Sequence, residues 1–149
     1  MILVFGKTGQ VGTELQRFKG VISLGREDAD LSDPQACADA IFRYSPNAVI
    51  NTAAYTGVDK SEDEEFLATV INGDSPTAMA QACAELRIPL VHISTDYVYE
   101  GSGATPWSPR DKAEPQNAYG RSKLVGENGI RASGAIHAIL RTSWVVSAH

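Results

Sequence analysis

The chain has 149 residues, the length of a single domain with a sizeable hydrophobic core of its own. Its composition, 43% hydrophobic and 21% charged, is that of a globular protein and excludes disordered, collagen-like and coiled-coil classes. A net charge of −5 provides no basic field for nucleic acid or for an anionic membrane, so we expect neither as a partner.

The sequence also bears on the compartment and on the cysteines. No apolar run reaches the length of a membrane span, and the N-terminus lacks the basic and long apolar regions of a signal peptide, so we expect a cytoplasmic protein. Cys37 and Cys83 have neither CxxC spacing nor histidine neighbours. This predicts buried free thiols rather than a zinc site or a disulfide.

The first part of the chain alternates strands and helices. Residues 1–5 form an uninterrupted apolar run, typical of a strand buried on both faces of a parallel sheet. A helical pattern follows over Val11 to Phe18, and Asp33 is placed to cap a helix whose first residue is Pro34. Two further strands are predicted at 21–24 and 48–51.

The second part continues this alternation. Ser61 and Glu64 have the spacing of a capping box, so we expect a helix to begin there, with the acidic run 62–65 solvated at its start rather than binding metal. The alternation predicts an α/β fold, a doubly wound parallel sheet with its binding site at the carboxyl ends of the strands. Further helices are expected from near Ser75 and Pro76 through Leu86 to Pro89 and from Tyr119 to about Ile130, strands at 89–93 and 138–146, and a loop rich in Gly and Pro at 99–117.

Three glycines with GxxGxxG spacing occupy the turn between the first strand and the first helix. Gly6 permits a sharp turn, Gly9 lets backbone amides approach a pyrophosphate, and Gly12 allows the helix to pack close to the sheet. Glycines alone could simply build a tight connection, but the flanking strand and helix favour dinucleotide binding. The segment GKT also resembles the end of an ATPase phosphate loop, but the glycine required five positions earlier is Met1, which excludes that interpretation.

The residues after the second strand bear on the choice between NADH and NADPH. A dinucleotide fold usually has an acid there that binds the adenosine ribose, or a basic residue that admits a 2′-phosphate. Arg26, a candidate cofactor contact, favours NADPH and Glu27 favours NADH, although Arg26 is equally compatible with an ordinary surface arginine. The preference therefore stays open.

A tyrosine and a lysine four residues apart, Tyr119 and Lys123, lie on one face of the helix after the loop. An ammonium beside a phenol lowers the pKa of the phenol, which would let Tyr119 exchange a proton with a substrate oxygen near neutral pH. This spacing alone is common by chance on surface helices. However, the hydroxyls of 94–97 follow the fourth strand, so three separate segments converge on one edge of the sheet.

Four motifs together resemble the extended short-chain dehydrogenase/reductase family: GKTGQVG at 6–12, NTAAYT at 51–56, STDYVY at 94–99 and YGRSK at 119–123. More narrowly, AAYTGVDKSE, PWSPRDKAEPQNAYGRSKLVGE and LRTSWV are similar to the branch of that family that makes dTDP-L-rhamnose. The resemblance covers essentially the whole chain. It implies a Rossmann-type fold that binds NADPH or NADH and reduces the 4-keto group of a nucleotide sugar.

The resemblance also implies roles for individual residues. Thr95 would polarise the keto oxygen, Tyr119 would protonate it, and Lys123 would bind the nicotinamide ribose and tune Tyr119. Thr95, Tyr97 and Trp144 fall where substrate contacts are expected. The implied cofactor contacts are Gly6, Thr8, Gly9, Gln10, Val11 and Gly12 at the pyrophosphate, Asp30 and Leu31 at the adenine, Ala53, Ala54 and Tyr55 after the third strand, and Tyr119 and Lys123.

Simpler interpretations exist for three residues. Asp30 could merely cap the turn before Leu31, and a tryptophan on a strand, such as Trp144, is more often in the core than in contact with a ligand. His92 is accompanied by no acid or nucleophile at the right register. We interpret it as a core histidine without a catalytic role.

Members of this family are longer than this chain, and their additional part carries most of the sugar pocket and, in the rhamnose branch, dimer contacts with bound magnesium. We therefore expect one dinucleotide-binding domain over 1–149, no metal site within it, and a nucleotide sugar and a homodimeric copy as partners. By itself the chain is expected to bind cofactor weakly, to associate through its last strand and to lack useful activity.

A second hypothesis is a non-catalytic, dinucleotide-binding regulatory module. A relative in the same family serves as the regulatory subunit of methionine adenosyltransferase. The set Thr95, Tyr119 and Lys123 favours the enzyme, because a purely regulatory protein has no chemical need for it.

Overall fold

The computed structural model describes residues 1–147 and is built around a five-stranded sheet. All neighbouring strands are parallel, in the order β2-β1-β3-β4-β5. This confirms the predicted α/β fold with a doubly wound parallel sheet. The strands are β1 (Ile2–Phe5), β2 (Val21–Leu24), β3 (Ala48–Asn51), β4 (Leu90–Thr95) and β5 (His137–Thr142).

Five α-helices connect the strands. The connection from β1 to β2 runs in one direction along the sheet and the later ones run in the other, so right-handed crossovers place the first helix on the face opposite the rest. On that second face α2 packs against α4, and α4 against α5. The helices are α1 (Gln10–Leu15), α2 (Pro34–Tyr44), α3 (Glu65–Thr69), α4 (Ser75–Leu86) and α5 (Ala118–Ala132), with a π-helical turn at Val70–Asp74 and 3-10 turns at Lys60–Glu62 and Asp96–Val98.

The core lies between the sheet and the layer formed by α2, α4 and α5. Leu3, Val49 and Leu90 from three neighbouring strands are fully buried there. Cys37 and Cys83 are buried free thiols in the same cluster, as predicted. Within residues 1–147, no helix has the length and apolar character required to cross a membrane.

The start of α2 follows the sequence prediction. Asp33 accepts a hydrogen bond from the Ala36 amide at 3.1 Å and Pro34 is the first helical residue. Pro suits this position because its missing N–H would have no partner in the first turn. The predicted cap is therefore confirmed.

The predicted capping box at Ser61 is wrong. Ser61 is buried within a 3-10 turn and donates its hydroxyl hydrogen to the carbonyl of Val58, and α3 begins only at Glu65 without a side-chain cap. The residue before this turn, Asp59, is already helical in φ and ψ rather than extended as an N-cap residue is. The acidic run is partly exposed, as expected, but two of its members, Glu62 and Glu65, also bind α5 as described below.

Other predicted boundaries also differ from the structure. The first helix ends at Leu15, and Phe18 is exposed beyond it. The last strand ends at Thr142 rather than at residue 146, because its pairing partner β4 ends with the pair Thr95 and Thr142. Residues 143–146 have no strand beside them and leave the sheet.

A candidate active-site cleft

A cleft runs along the carboxyl ends of the strands, above the point where the strand order reverses between β1 and β3. It has two adjoining parts, with volumes of about 470 and 310 Å³, that share Gly9, Thr52 and Ala54 in their walls. We call the larger part the β4 pocket, because residues at the end of β4 line it, and the smaller part the β1 pocket. Such a switch point is where open α/β sheets bind their ligands.

The three glycines of the turn differ in what a side chain at each position would contact. Gly6 has a φ of +108°, and a Cβ there would collide with Thr52 and lie 2.9 Å from the Ala53 amide nitrogen. A Cβ on Gly12 would collide with the Gly6 carbonyl, whereas a Cβ on Gly9 would meet nothing closer than 3.7 Å. Gly6 and Gly12 are therefore required by the fold, and Gly9 leaves open space in the cleft.

Most of the predicted cofactor contacts lie in the β1 pocket. Gln10 and Val11 line the β4 pocket instead, and Gly12 lies behind the turn against Gly6 without lining either part. The predicted contacts that line the β1 pocket are Gly6, Thr8, Gly9, Arg26, Asp30, Leu31, Ala53, Ala54 and Tyr55.

Two pairs of oppositely charged side chains lie at the β1 pocket. Arg26 lies 3.8 Å from Asp30, and Lys7 lies 3.6 Å from Glu27, all with substantial exposure. Asp30 also accepts the Ser32 amide at 2.8 Å, and this bond is the main cause of its lowered pKa. Asp30 therefore caps the turn, as the simpler interpretation holds, and lines the pocket as well.

Tyr55 forms part of the wall of the β1 pocket. Asn72 holds its backbone on both sides, accepting the Tyr55 amide at 2.8 Å and donating to its carbonyl at 3.0 Å. The hydroxyl of Tyr55 donates to Glu64 at 2.6 Å, and this bond raises the pKa of Tyr55 to about 12. Tyr55 is thus a fixed neutral wall rather than an acid or base.

The predicted catalytic and substrate residues converge on the β4 pocket. Thr95, Tyr97, Tyr119, Lys123 and Trp144 all line it. The rings of Tyr97 and Tyr119 pack edge to face with centroids 5.7 Å apart. Trp144 is 94% exposed with a φ of 51°, so it is not a core residue, because the chain has left the sheet after β5.

Lys123 does not lower the pKa of Tyr119 as expected. Burial raises the pKa of Tyr119, and a hydrogen bond with Thr95 lowers it by a smaller amount. The amine of Lys123 donates instead to the Ile93 carbonyl at 2.7 Å and lies 3.3 Å from His92. The expectation of a lowered Tyr119 pKa is therefore wrong for this arrangement, and Tyr119 is a phenol at neutral pH.

The acidic run holds the beginning of α5, where Tyr119 lies. Glu62 accepts the Ala118 amide at 2.7 Å, and Glu65 binds Arg121 through two hydrogen bonds of 2.7 and 3.0 Å. The first amides of a helix lack partners within the helix, so a carboxylate satisfies one of them directly. The sequence spacing gave no sign of this contact because the partners are 56 residues apart.

A buried carboxylate, Glu127, joins α5 to β4 and β5. It accepts Ser94 at 2.6 Å, Arg131 at 2.8 Å and Arg141 at 2.9 and 2.6 Å. Burial opposes ionisation of Glu127, but these hydrogen bonds outweigh it and lower its pKa. Arg141 continues to the Tyr99 hydroxyl at 2.8 Å, which ties the loop after β4 to the sheet.

Comparisons with known proteins identify similar chains. The family described as "RmlD substrate binding domain" matches residues 1–149. A dTDP-4-dehydrorhamnose reductase from Salmonella typhimurium is 43% identical over 152 residues, which cover 97% of this chain and 51% of that protein. The chain spans about half the length of the curated relatives it matches. These names confirm the resemblance predicted from the motifs.

Solved structures are similar over the same region. A dTDP-4-dehydrorhamnose reductase from Clostridium acetobutylicum has a TM-score of 0.93 and 38% identity, covering 99% of this chain and 55% of that one. The reductase of the same name from Bacillus anthracis, solved in complex with NADP, has a TM-score of 0.91 and 31% identity. The match covers 96% of this chain and 53% of that one.

Proposed function

We propose, from the premise that this chain belongs to the RmlD substrate binding domain family, that it forms the cofactor-binding and catalytic part of an NAD(P)H-dependent reductase. The reaction is reduction of the 4-keto group of dTDP-4-dehydrorhamnose to give dTDP-L-rhamnose. The observation that carries this proposal is the convergence of Gly9, Thr95, Tyr119 and Lys123 on one cleft at the switch point of the sheet.

The residues of the cleft fit a nicotinamide dinucleotide. Gly9 leaves room where a side chain would block the backbone amides of the turn, and the two adjoining pockets provide an extended space on either side of it. Lys123 and Tyr119 would hold the nicotinamide ribose, and Asp30 and Leu31 the adenine. A bound NADPH or NADH would supply the hydride for the reduction. The similar reductase from Bacillus anthracis was solved with NADP, which supports this choice of ligand.

The protein's own side chains would handle the proton. Burial keeps Tyr119 protonated, which is the form that donates to a keto oxygen as that oxygen gains negative charge. The hydroxyl of Thr95 lies at the end of β4, where it accepts the Tyr97 amide at 3.2 Å and donates to Asp96 at 3.3 Å. Turning this hydrogen from Asp96 would let the hydroxyl donate to the same substrate oxygen. Together the two hydroxyls would polarise the carbonyl and then protonate it.

The exposed aromatic side chains at the mouth of the β4 pocket suit a sugar. Tyr97 is 47% exposed and Trp144 94% exposed, and both line this pocket. Apolar ring faces beside polar edges pack well against sugar rings. We therefore assign both to the substrate. The buried free thiols Cys37 and Cys83 suit the reducing cytoplasm, and the homodimer stays a prediction.

Two assays test the proposal. The first measures binding of NADPH and NADH to the chain by calorimetry, and saturable binding of either is expected. The second follows loss of NADPH absorbance with dTDP-4-dehydrorhamnose, using protein that extends over the full length of the relatives, and turnover within the ordinary range of about 1–10³ s⁻¹ is expected. Cofactor binding without turnover would support the regulatory module, and absence of cofactor binding would overturn both hypotheses.

A further inference from the structure

A chain of buried polar side chains crosses the sheet beneath the β4 pocket. Asn51 on β3, His92 on β4 and Lys123 on α5 are all at most 1% exposed. The Asn51 amide nitrogen lies 3.1 Å from His92 Nδ1, and His92 Nε2 lies 3.3 Å from Lys123 Nζ. The sequence had suggested only a core histidine at this position, and the structure adds that its partner is the lysine of the cleft.

The hydrogen bonds of Asn51 fix the protonation of the ring. Asn51 Oδ1 accepts the Ala53 amide at 3.1 Å, so the nitrogen of the side-chain amide is the atom that faces His92. That nitrogen can only donate, so Nδ1 of His92 must accept, and the single proton of the neutral ring lies on Nε2. The Nε2–H group then points at Nζ of Lys123.

An Nε2–H group distinguishes the two forms of Lys123. The uncharged amine has a lone pair that accepts this hydrogen while its own hydrogens donate to the Ile93 carbonyl at 2.7 Å. The ammonium has no lone pair, so a donor would face a donor. The ring could relieve this conflict only by moving its proton to Nδ1, which would break the bond from Asn51.

The other ionisable groups near Lys123 do not remove this preference for its uncharged form. Glu127, one turn further along α5, favours the ammonium, but its oxygens are already bound by Arg141, Arg131 and Ser94. Tyr119 on the same helix is neutral, and Asp96 beyond β4 acts on Tyr119. Burial lowers the pKa of Lys123 to about 8 and that of His92 well below its usual value.

We propose that His92 is a positioning residue for Lys123: held by Asn51 with its proton on Nε2, it directs this N–H group at Nζ and shifts Lys123 toward the uncharged amine. Lys123 would thereby gain and release a proton readily beside Tyr119 instead of remaining a fixed cation. This catalytic consequence rests on the proposed function, whereas the geometry and its test do not.

The test is an NMR titration of the 149-residue chain with isotope-labelled lysine and histidine. The chain has five lysines, and the variant Lys123→Met assigns the one signal of interest. In the unchanged chain we expect a midpoint for Lys123 near 8 and His92 in the Nε2–H form at neutral pH.

Two variants reverse the proposed effect. In His92→Gln the side-chain oxygen can accept from the ammonium, and in Asn51→Asp the carboxylate accepts from Nδ1–H and leaves Nε2 as an acceptor. Each variant should raise the Lys123 midpoint by about one pH unit, roughly a tenfold gain in proton affinity. His137→Gln, which changes an exposed histidine on β5, is the matched control and should leave the midpoint unchanged.

The outcomes separate the alternatives. An unchanged Lys123 midpoint in both folded variants would show that His92 only fills space. If the variants do not fold, the wild-type spectrum still decides, because an Nδ1–H ring or a Lys123 midpoint near the ordinary lysine value of 10.5 contradicts the proposal. None of these readouts needs cofactor or substrate, so a failed reductase assay would leave the result standing.

Discussion

The two pockets of the cleft are built in different ways. Around Gly6 and Gly9 the wall of the β1 pocket is backbone with no side chain, and this part of its shape follows from one short turn after β1. The β4 pocket is formed by side chains from β4, α5 and the segment after β5, which buried carboxylates and amides hold in place. The glycine wall of the first pocket therefore depends on local conformation, whereas the second pocket depends on contacts between residues distant in sequence.

The largest effect should follow from removing the proton donor of the β4 pocket. Tyr119→Phe retains the ring that packs on Tyr97 and loses only the hydroxyl, so cofactor affinity should fall by no more than one ribose hydrogen bond, about 0.5–1.5 kcal/mol. Turnover should fall by about 10²- to 10⁴-fold, the usual contribution of general acid catalysis. Steady-state rates and calorimetry on protein of the relatives' full length check this. Turnover near the original level would assign proton donation to another group.

The next largest effect should follow from removing Glu127, whose hydrogen bonds hold the β4 pocket together. Glu127→Ala leaves Arg141 and Ser94 without their buried partner and should lower the free energy of unfolding by about 3–5 kcal/mol. Glu85, exposed on α4, provides the control, and Glu85→Ala should change stability by no more than about 0.5 kcal/mol. Urea denaturation measures both, and equal stability of the two variants would show that the network is not what holds the pocket together.

A pair of glycine variants tests the β1 pocket. Gly9→Val fills open space in the cleft and should weaken NADPH binding by roughly 10- to 100-fold, equivalent to about 1–3 kcal/mol, while the fold stays intact. Gly12→Val collides with the Gly6 carbonyl and should destabilise the fold itself. Calorimetry and thermal unfolding separate the two results. Ala132→Val, on an exposed position of α5, is the control for an added isopropyl group.

The last effect is a pH dependence of the free energy of unfolding that Lys123 causes. Its pKa is about 8 in the folded chain and near 10.5 when exposed, so between these values the unfolded chain binds more protons. The charged lysine therefore lowers stability fully below pH 8, and this penalty declines as the pH rises toward 10.5. Lys123→Met removes the penalty, so its stability relative to wild type should fall by up to about 1.4 kcal/mol per pH unit in this window.

Exposed Lys19 provides the comparison for this titration. The stability difference between Lys19→Met and wild type should stay constant over the same pH range, because that side chain lies in solvent in both states. Urea denaturation at several pH values measures both differences. A Lys123→Met difference that is equally flat would mean that the folded and unfolded chains bind the same number of protons at this site.

The contrast between the pockets also explains what the sequence could predict. The apolar run of β1, the spacing of the glycines and the cap at Asp33 depend on neighbours within a few residues, so each was predictable. Glu127 and Asn72 carry no local signal, because their partners Arg141 and Tyr55 approach only when the sheet is assembled. The pattern at Ser61 matched a cap, but the chain there folds into a 3-10 turn.

The pairing of Tyr119 and Lys123 shows the same limit. Their spacing correctly placed both on one pocket. It did not indicate that the amine would turn to the Ile93 carbonyl and to His92, because both groups belong to another element. Helical spacing fixes the face on which a side chain begins, and the neighbouring strand decides where its end binds.

A crystal structure of the chain with NADPH is the most direct test that the two pockets form one dinucleotide site. We expect the pyrophosphate against the backbone amides around Gly9, the adenosine in the β1 pocket, and the nicotinamide ribose within hydrogen-bonding distance of Lys123 and Tyr119 in the β4 pocket. A dinucleotide bound elsewhere, or one whose nicotinamide ribose lies away from Tyr119 and Lys123, would contradict it.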